Sequence, residues 1–392
     1  MLSHDQRAII KATIPLLETG GEDLTRHFYD KLLGNNPQIR PLFNAAHQAS
    51  GAQAQAQALA RAVLLYARHI DRLDTLGALV EQIVNKHVSL QVQADHYPLV
   101  GIALLQSIRE VLGADVASDA VIDAWAAAYG QLANLLIDAE QRKYSDQASL
   151  SGGWRGGRPF RIARIEPESE EISSFYLEPV DGLPTSIAQP GQYLGLSVIL
   201  EGVEYRRNYS ISAATTGQGY RISVKQQPDG VVSRFLHTEA HEGVVLQVFA
   251  PAGEFVLQPS AKPLLLIAGG VGITPLLPMI SAAIPSGRPI QLIHCTRHVG
   301  VQAFGQWLEE MAAHHPQLQL YFCYSKPVGG EALATRLDLL RLKRWLPKDR
   351  DLDAYVLGPQ PFMAQVRRDL LELGVPEKQI RHEFFGPAAD LS

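Results

Sequence analysis

The sequence predicts a multidomain protein: an all-α domain, then an antiparallel β-barrel, then an α/β domain on a parallel sheet. Three observations predict it. Residues 3 to about 144 place apolar side chains at three- and four-residue steps with little β-type alternation. A glycine-rich joint, Ser149-Leu150-Ser151-Gly152-Gly153-Trp154-Arg155-Gly156-Gly157, then separates them from short runs with turn punctuation. From Pro263 onward strand-like and helix-like runs alternate, as in a βα repeat. The expected divisions are 1–147, 155–260 and 261–392.

In the helical third the periodic positions include Ile9, Ile10, Ile14 and Leu17, then Leu76, Leu79, Val80, Ile83, Val84 and His87. Asn35-Asn36-Pro37 and Asp95-His96-Tyr97-Pro98 supply breaks and caps. Gly51 to Ala62 alternates Ala and Gln, a helix-forming composition. Barrel strands are expected at Phe160–Ile165, Ile172–Leu177, Tyr193–Leu200, Tyr220–Lys225 and Val244–Phe249. The βα repeat is expected as strand Leu264–Ala268, helix from Thr274, strand Ile290–Cys295 and helix from Val301. It continues with strand Leu318–Tyr324, a helical stretch near Ala332–Leu340, strand Ala354–Leu357 and a helix from Phe362. Pro263 to Gly287 carries no charge, which raises a membrane span. Six glycines and prolines cut it, and lipid would leave that broken backbone unsatisfied, so strand, turn and helix start is the adopted reading.

At 392 residues, 46% hydrophobic and 19% charged, the chain can bury several cores and is not of disordered composition. A net charge of −5 without any Lys/Arg-rich stripe gives no reason to expect nucleic acid. Cys295 and Cys323 lie in apolar runs and are expected to be core thiols of a reducing compartment. The first residues lack the layout of a signal peptide, so the cytoplasm is the expected location, and a monomer without an integral membrane segment the expected state.

Two motifs carry redox chemistry. Arg207-Asn208-Tyr209-Ser210 follows a strand-like run. Its arginine can pair with a phosphate, its tyrosine face can lie on an isoalloxazine ring, and its serine can bond a ring nitrogen. Alone, these four residues better suit an ordinary strand end. Pro190-Gly191-Gln192-Tyr193-Leu194 before them, and Gly230-Val231-Val232-Ser233 with Ala250-Pro251-Ala252-Gly253-Glu254-Phe255 after them, make an order that resembles the ferredoxin–NADP reductase superfamily. Gly269-Gly270-Val271-Gly272-Ile273-Thr274-Pro275 follows a strand and opens a helix, where amides and the helix N-terminus favour a pyrophosphate. It lacks the G-x-G-x-x-G spacing, but within that superfamily it is the expected pyridine-nucleotide loop. Tyr355-Val356-Leu357-Gly358-Pro359 matches the superfamily's second nucleotide loop, with Leu357 where a cysteine is usual beside the nicotinamide.

Six histidines precede the joint: His4, His27, His47, His69, His87 and His96. His87 stands out by its surroundings. Ile83, Val84 and Leu90 can wall a flat ring, and Tyr97 and Glu140 are candidates to hold the imidazole from behind, leaving Nε2 for iron. Opposite, Tyr29 could donate to a bound diatomic molecule, and Phe43 suits a ring against porphyrin.

Over the whole chain the sequence resembles the bacterial flavohaemoglobins, a globin fused to a flavin reductase. The matching stretches are Lys11-Ala12-Thr13-Ile14-Pro15-Leu16-Leu17, His27-Phe28-Tyr29, Pro41-Leu42-Phe43-Asn44, Lys86-His87, Ala128-Tyr129-Gly130-Gln131-Leu132-Ala133, Gly152-Gly153-Trp154 and Glu383-Phe384-Phe385-Gly386-Pro387. The resemblance implies haem b, FAD and NADH or NADPH as cofactors. It makes His87 the proximal ligand with Tyr97 and Glu140 as its relay partners, and Tyr29 the distal donor. Lys86 and the Glu383-Phe384 region are implied in haem–flavin communication. Between Phe43 and the distal helix the chain is two residues longer than the family pattern. Anchoring on Ala58-Leu59-Ala60 puts the distal glutamine at Gln55 and the apolar distal residue at Leu59, whereas anchoring on Gly51 gives Gln53; Gln55 is adopted.

The implied activity is nitric oxide dioxygenation: NO and O2 to nitrate, with electrons passing from NAD(P)H through FAD to haem. Two alternatives stand beside it, an NAD(P)H-dependent reductase of oxygen, ferric iron or hydroperoxides, and an oxygen-storing or gas-sensing globin kept ferrous by its reductase. Thr296-Arg297-His298 could meet a 2′-phosphate, which leaves NADH against NADPH open.

Overall fold

The protein is described by a computed structural model covering residues 2–43, 62–326, 336–383 and Phe385. Contacts divide the chain into two compact units, one of Met1–Leu150, Trp154–Gly156 and Ser197–Arg207, the other of Ser151–Gly153, Gly157–Leu196 and Asn208–Ser392.

In the first unit, helix α1 (His4–Ala12) opens on a capping box in which Ser3 and Gln6 satisfy each other's backbone amides. Helix α2 (Ile14–Asn35) has Pro15 in its first turn, where a missing N–H costs nothing, and a 3₁₀ segment Pro37–Leu42 follows it. After a helical stretch over 62–68 come α3 (Gly77–Ser89), α4 (His96–Leu112) and α5 (Asp119–Ser149). Helix α5 packs on α1, α3 and α4, burying Trp125, Ala128, Leu136 and Tyr144 at helical spacing. It is the one described helix long and apolar enough, by length and composition alone, to cross a membrane. The uncharged stretch after Pro263, by contrast, forms a strand, a 3₁₀ turn and a short helix.

The barrel region is an antiparallel six-stranded sheet of β1 (Arg158–Pro167), β2 (Ile172–Pro179), β3 (Tyr193–Leu200), β4 (Val203–Ser210), β5 (Tyr220–Lys225) and β6 (Val245–Val248), in the order β4-β3-β6-β1-β2-β5. A register shift between Ile162 and Arg164 bends β1 against β2. An isolated bridge from Ile211, just past β4, to Ile222 of β5 joins the two edges, so the sheet curls on itself. Phe160, Ile162, Phe175, Leu177, Leu194 and Leu196 fill the inside. The sequence did not announce helix α6 (Val231–Thr238), which begins inside the Gly230 motif.

Gly191, in the Pro190-Gly191-Gln192 turn before β3, shows why the motif needs glycine. Its φ is +108°, and a Cβ there would lie 2.0 Å from the Phe255 carbonyl oxygen. Gly191→Ala is therefore expected to cost more than about 1 kcal/mol of stability, seen as a lower unfolding midpoint in denaturant. An unchanged midpoint would contradict this account of the turn.

The remaining sheet is parallel: β7 (Leu264–Gly269), β8 (Ile290–Thr296), β9 (Leu318–Tyr324), β10 (Asp353–Leu357) and β11 (Ile380–His382), in the order β11-β10-β7-β8-β9. Strand β7 is buried on both faces. Leu264, Leu266 and Ala268 meet α7 (Leu276–Ala283) and α8 (Gly305–His314), whereas Leu265 and Ile267 meet α9 (Leu339–Trp345) and α10 (Gln360–Glu372).

Three helix starts differ from expectation. Gly270–Ile273 winds as 3₁₀, and α7 begins only after Pro275. Val299–Val301 is a 3₁₀ turn, with α8 starting after Phe304 at φ +62°. The third helix begins at Leu339 because the Asp338 side chain accepts from the Arg341 amide and caps it there; residues 332–335 lie outside the described residues. Cys295 and Cys323 are free thiols on neighbouring strands β8 and β9.

Candidate functional site

His87 sits in the last turn of α3. The helix ends at Leu90, and Gln91 at φ +60° reverses the chain so that the Val92 amide returns to the His87 carbonyl at 2.9 Å. The imidazole meets partners from two other helices. Glu140 of α5 lies 2.7 Å from Nδ1 through Oε1, and the Tyr97 hydroxyl of α4 donates to the same Oε1 at 2.6 Å. Tyr97 is also 3.2 Å from Nδ1. With the carboxylate as acceptor, Nδ1 carries a proton and Nε2 keeps its lone pair. Glu140 is 2% exposed, whereas the His87 side chain is 32% exposed, so the ring opens away from its carboxylate. Burial first, and then the bond to Glu140, pushes the Tyr97 phenol far above its usual value and keeps it a donor. Tyr129 donates to the Tyr97 carbonyl at 2.6 Å, and Tyr144 to the Val92 carbonyl at 2.8 Å, bracing both neighbours.

Tyr29 of α2 packs edge-on against Phe28 and, at 5.6 Å between centroids, against Phe43. Leu33, Val92, Leu99, Val100 and Leu104 continue this apolar set, and Val92 also belongs to the cluster of Tyr97, Val84 and Val88 beside His87. Burial alone pushes the Tyr29 phenol up to about 12. An imidazole with a free Nε2, apolar walls and a protonated phenol form a donor set that suits an iron porphyrin. Lys86, next to His87, is exposed. Gln53, Gln55 and Leu59 lie outside the described residues. So do Phe384, Gly386 and Pro387, while Glu383 is half-buried and Phe385 is 49% exposed.

The flavin motif occupies the end of β4. Arg207 donates to the Arg206 carbonyl at 2.6 Å, with its guanidinium 6.0 Å from the Tyr205 ring centre. Asn208, Tyr209 and Ser210 complete the strand, and the Tyr193 amide at the head of β3 bonds the Ala252 carbonyl at 2.9 Å, bringing in the Ala250–Phe255 motif. Motif reading missed Arg206. It reaches the Leu90 carbonyl at the end of α3 at 2.7 Å and is anchored by Glu204, also at 2.7 Å. A cation there complements the helix C-terminus.

The glycine loop leaves the C-terminal end of β7, and Leu357-Gly358-Pro359 leaves that of β10 beside it. Their backbones touch: a Cβ on Gly272 would lie 2.7 Å from the Leu357 carbonyl oxygen, and one on Gly358 3.0 Å from the Gly269 Cα. Strand order reverses between β10 and β7, and in such sheets the crevice beyond that point is where nucleotides bind. A Cβ on Gly270, at φ +57°, would meet nothing within 4 Å, so that side of the loop is open. Thr274 closes the turn onto the Val271 carbonyl, while Ile273 is fully buried. Leu357 is also fully buried, so its backbone rather than its side chain borders the crevice.

This arrangement defines an oxidoreductase in which a globin is joined to flavin- and nicotinamide-binding modules. Residues 26–136 match the globin family, 161–257 the oxidoreductase FAD-binding domain and 266–368 the oxidoreductase NAD-binding domain. The chain is 59% identical to a flavohemoprotein of Pseudomonas aeruginosa over the full length of both, and 46% identical to one of Bordetella pertussis, covering 98% of this chain and 99% of that one. The fold matches the crystal structure of a Malassezia yamatoensis flavohemoglobin with bound FAD and heme at a TM-score of 0.83 and 24% identity, over 98% of this chain and all of that one. The chain belongs to the flavohemoprotein family.

Proposed function

We propose that this protein is a nitric oxide dioxygenase, converting NO and O2 to nitrate at the expense of NADH or NADPH. The observation that carries the reading is the buried Glu140 carboxylate on Nδ1 of His87. A carboxylate there raises the basicity of a ligating imidazole, which suits oxygen chemistry better than passive storage. The crystal structure of the flavohem-like FAD/NAD-binding domain of a Vibrio cholerae nitric oxide dioxygenase supports it, at 32% identity and a TM-score of 0.55, over 59% of this chain and all of that one.

Haem b, when bound, supplies oxygen activation, and FAD supplies the conversion of a hydride into single electrons. The chain's share is placement. Residues 1–147 would hold the haem: His87 would offer Nε2 to iron, Glu140 and Tyr97 would keep the imidazole's proton on Nδ1, and Phe43 would exclude water. Tyr29 would supply a phenol hydrogen-bond donor, and Gln55 and Leu59 are assigned with it on the family resemblance. Residues 155–260 would hold FAD: Arg207 would pair with phosphate, Tyr209 and Ser210 would meet the ring, and Tyr193 and Asn208 would complete the set. Residues 261–392 would hold the nicotinamide dinucleotide, with the amides of Gly269 to Thr274, ahead of Pro275, offered to its pyrophosphate. Lys86 and the segment Glu383-Phe384-Phe385-Gly386-Pro387 are assigned, on the family resemblance, to communication between haem and flavin.

Electron balance sets the test: two NO and two O2 consumed, and two nitrate formed, for each NAD(P)H oxidised. NAD(P)H oxidation without NO-dependent nitrate would instead favour a reductase of other acceptors. Two variants test the placement. Glu140→Gln is expected to retain haem but raise its midpoint potential by roughly 60 mV, the equivalent of tenfold for one electron; an unchanged potential would remove the carrying observation. Tyr209→Ala and Ser210→Ala are expected to lose flavin on dialysis while keeping haem, each lost contact of about 1.4 kcal/mol weakening retention about tenfold. Full flavin and full reductase rate in both would displace the flavin site.

A further inference from the structure

Among the described residues His294 is the one histidine in the parallel sheet's interior, and neither the motifs nor the proposed mechanism uses it. It lies on β8, directly opposite Ala268 of β7, and is 1% exposed. Its Nε2 lies 3.1 Å from the carbonyl oxygen of Gly270, the residue at which the loop turns through φ +57°. Its Nδ1 is buried without a hydrogen-bond partner among the described residues. A carbonyl only accepts, so Nε2 must carry the proton and Nδ1 is left as an acceptor with no donor. Burial holds the imidazole down to about 4, so it is neutral at neutral pH. Packing alone gives no reason for this residue. Leucine or valine would fill a strand interior without stranding a polar atom, and the one polar bond His294 does make goes to the glycine loop.

The direction of that bond matters. A loop that cradles an anion must present N–H groups and turn its carbonyls elsewhere. Gly270 has the freedom of glycine, so nothing in its own side chain prevents the peptide after it from flipping its oxygen toward the crevice. We infer that His294 is a positioning residue for dinucleotide binding: its imidazole holds the Gly270 carbonyl turned into the protein, so the loop meets the pyrophosphate with donors only. This rests on the reading of Gly269 to Pro275 as the nucleotide loop.

The test uses the full-length protein loaded with haem and FAD, in three variants. His294→Leu keeps the bulk and removes the donor. His294→Gln returns an N–H near the position of Nε2. Gly270→Asp puts a carboxylate into the loop itself, at a backbone conformation aspartate tolerates and in open space. NAD+ affinity is measured by calorimetry, and KM and kcat for NADH by flavin reduction, with haem and flavin content and unfolding midpoint alongside. For His294→Leu, Kd and KM are expected to rise about tenfold, or about 1.4 kcal/mol, with kcat within about twofold and both cofactors retained. His294→Gln is expected to recover most of that affinity. Wild-type Kd and KM in His294→Leu would overturn the inference, and so would a loss that His294→Gln does not rescue, which would mark simple packing. Gly270→Asp separates the two layers. If it loses NAD+ while His294→Leu does not, only the role of His294 falls. If it binds NAD+ normally, the loop assignment falls, and the inference with it.

Discussion

His87→Ala is expected to yield a protein without a Soret band, whose flavin is still reduced by NAD(P)H. The imidazole is the one nitrogen donor of the described helical unit whose far side is held by a buried carboxylate and a phenol, through contacts of 2.7 and 3.2 Å. Removing it strands Glu140, which is 2% exposed, with Tyr97 as its one remaining hydrogen-bond donor among these three groups. The loss is therefore twofold: the nitrogen proposed to bind iron, and part of the satisfaction of a buried charge worth about 1.5–3 kcal/mol. The flavin and nucleotide motifs lie at Arg207–Ser210 and Gly269–Pro275, far along the chain, so reduction of bound flavin should persist. Absorbance at the Soret and flavin bands, followed by anaerobic stopped-flow with NADH, reads both outcomes. A normal haem spectrum would mean that another residue ligates the iron.

Tyr29→Phe is expected to speed oxygen release from the ferrous protein by roughly ten- to a hundredfold, given tenfold per 1.4 kcal/mol and about 1.5–3 kcal/mol for a hydrogen bond to a charged group. Carbon monoxide develops less charge on its outer atom and should be affected far less. Equal changes for both gases would indicate general disturbance of the Phe28–Tyr29–Phe43 packing, and no change would leave Tyr29 as a core aromatic. The pH dependence has a definite sign. Burial raises the phenol to about 12, so the neutral, donating form is favoured in the fold, and its contribution is lost only as pH rises through that value. The ratio between wild-type and variant rates should thus be flat between about pH 6 and about pH 9.

The helices and the β7 and β9 strands were legible because their apolar spacing is a local property, 3.6 or 2 residues, or an unbroken run where both faces are buried. Three elements were less so. Strand β4, Val203-Glu204-Tyr205-Arg206-Arg207-Asn208-Tyr209-Ser210, is exposed at Val203, half-buried beyond it, and carries charge where a core strand would be apolar, so only its end was marked, by its motif. Helix α6 starts within a stretch that reads as a turn, and β11 has three residues, too few for any period to show. The proposed distal residues Gln55 and Leu59 fall in a repeating Ala-Gln pattern, whose register local composition does not set.

By itself, the sequence determined the order of the three modules, the helix that carries His87, and the glycine loop that follows a buried strand. These depend on neighbours within a few residues, whose chemistry is written in the chain. The sequence offered Tyr97 and Glu140 as candidates to hold His87 from behind, and tertiary structure set the Glu140 carboxylate, 53 positions away, at 2.7 Å from Nδ1. It also decided that Arg206 reaches the end of the His87 helix, and that His294 turns toward Gly270. Each of these is one polar bond between distant residues, with no periodicity to betray it. Its geometry exists only once helix packing and strand register have brought the two atoms within about 3 Å.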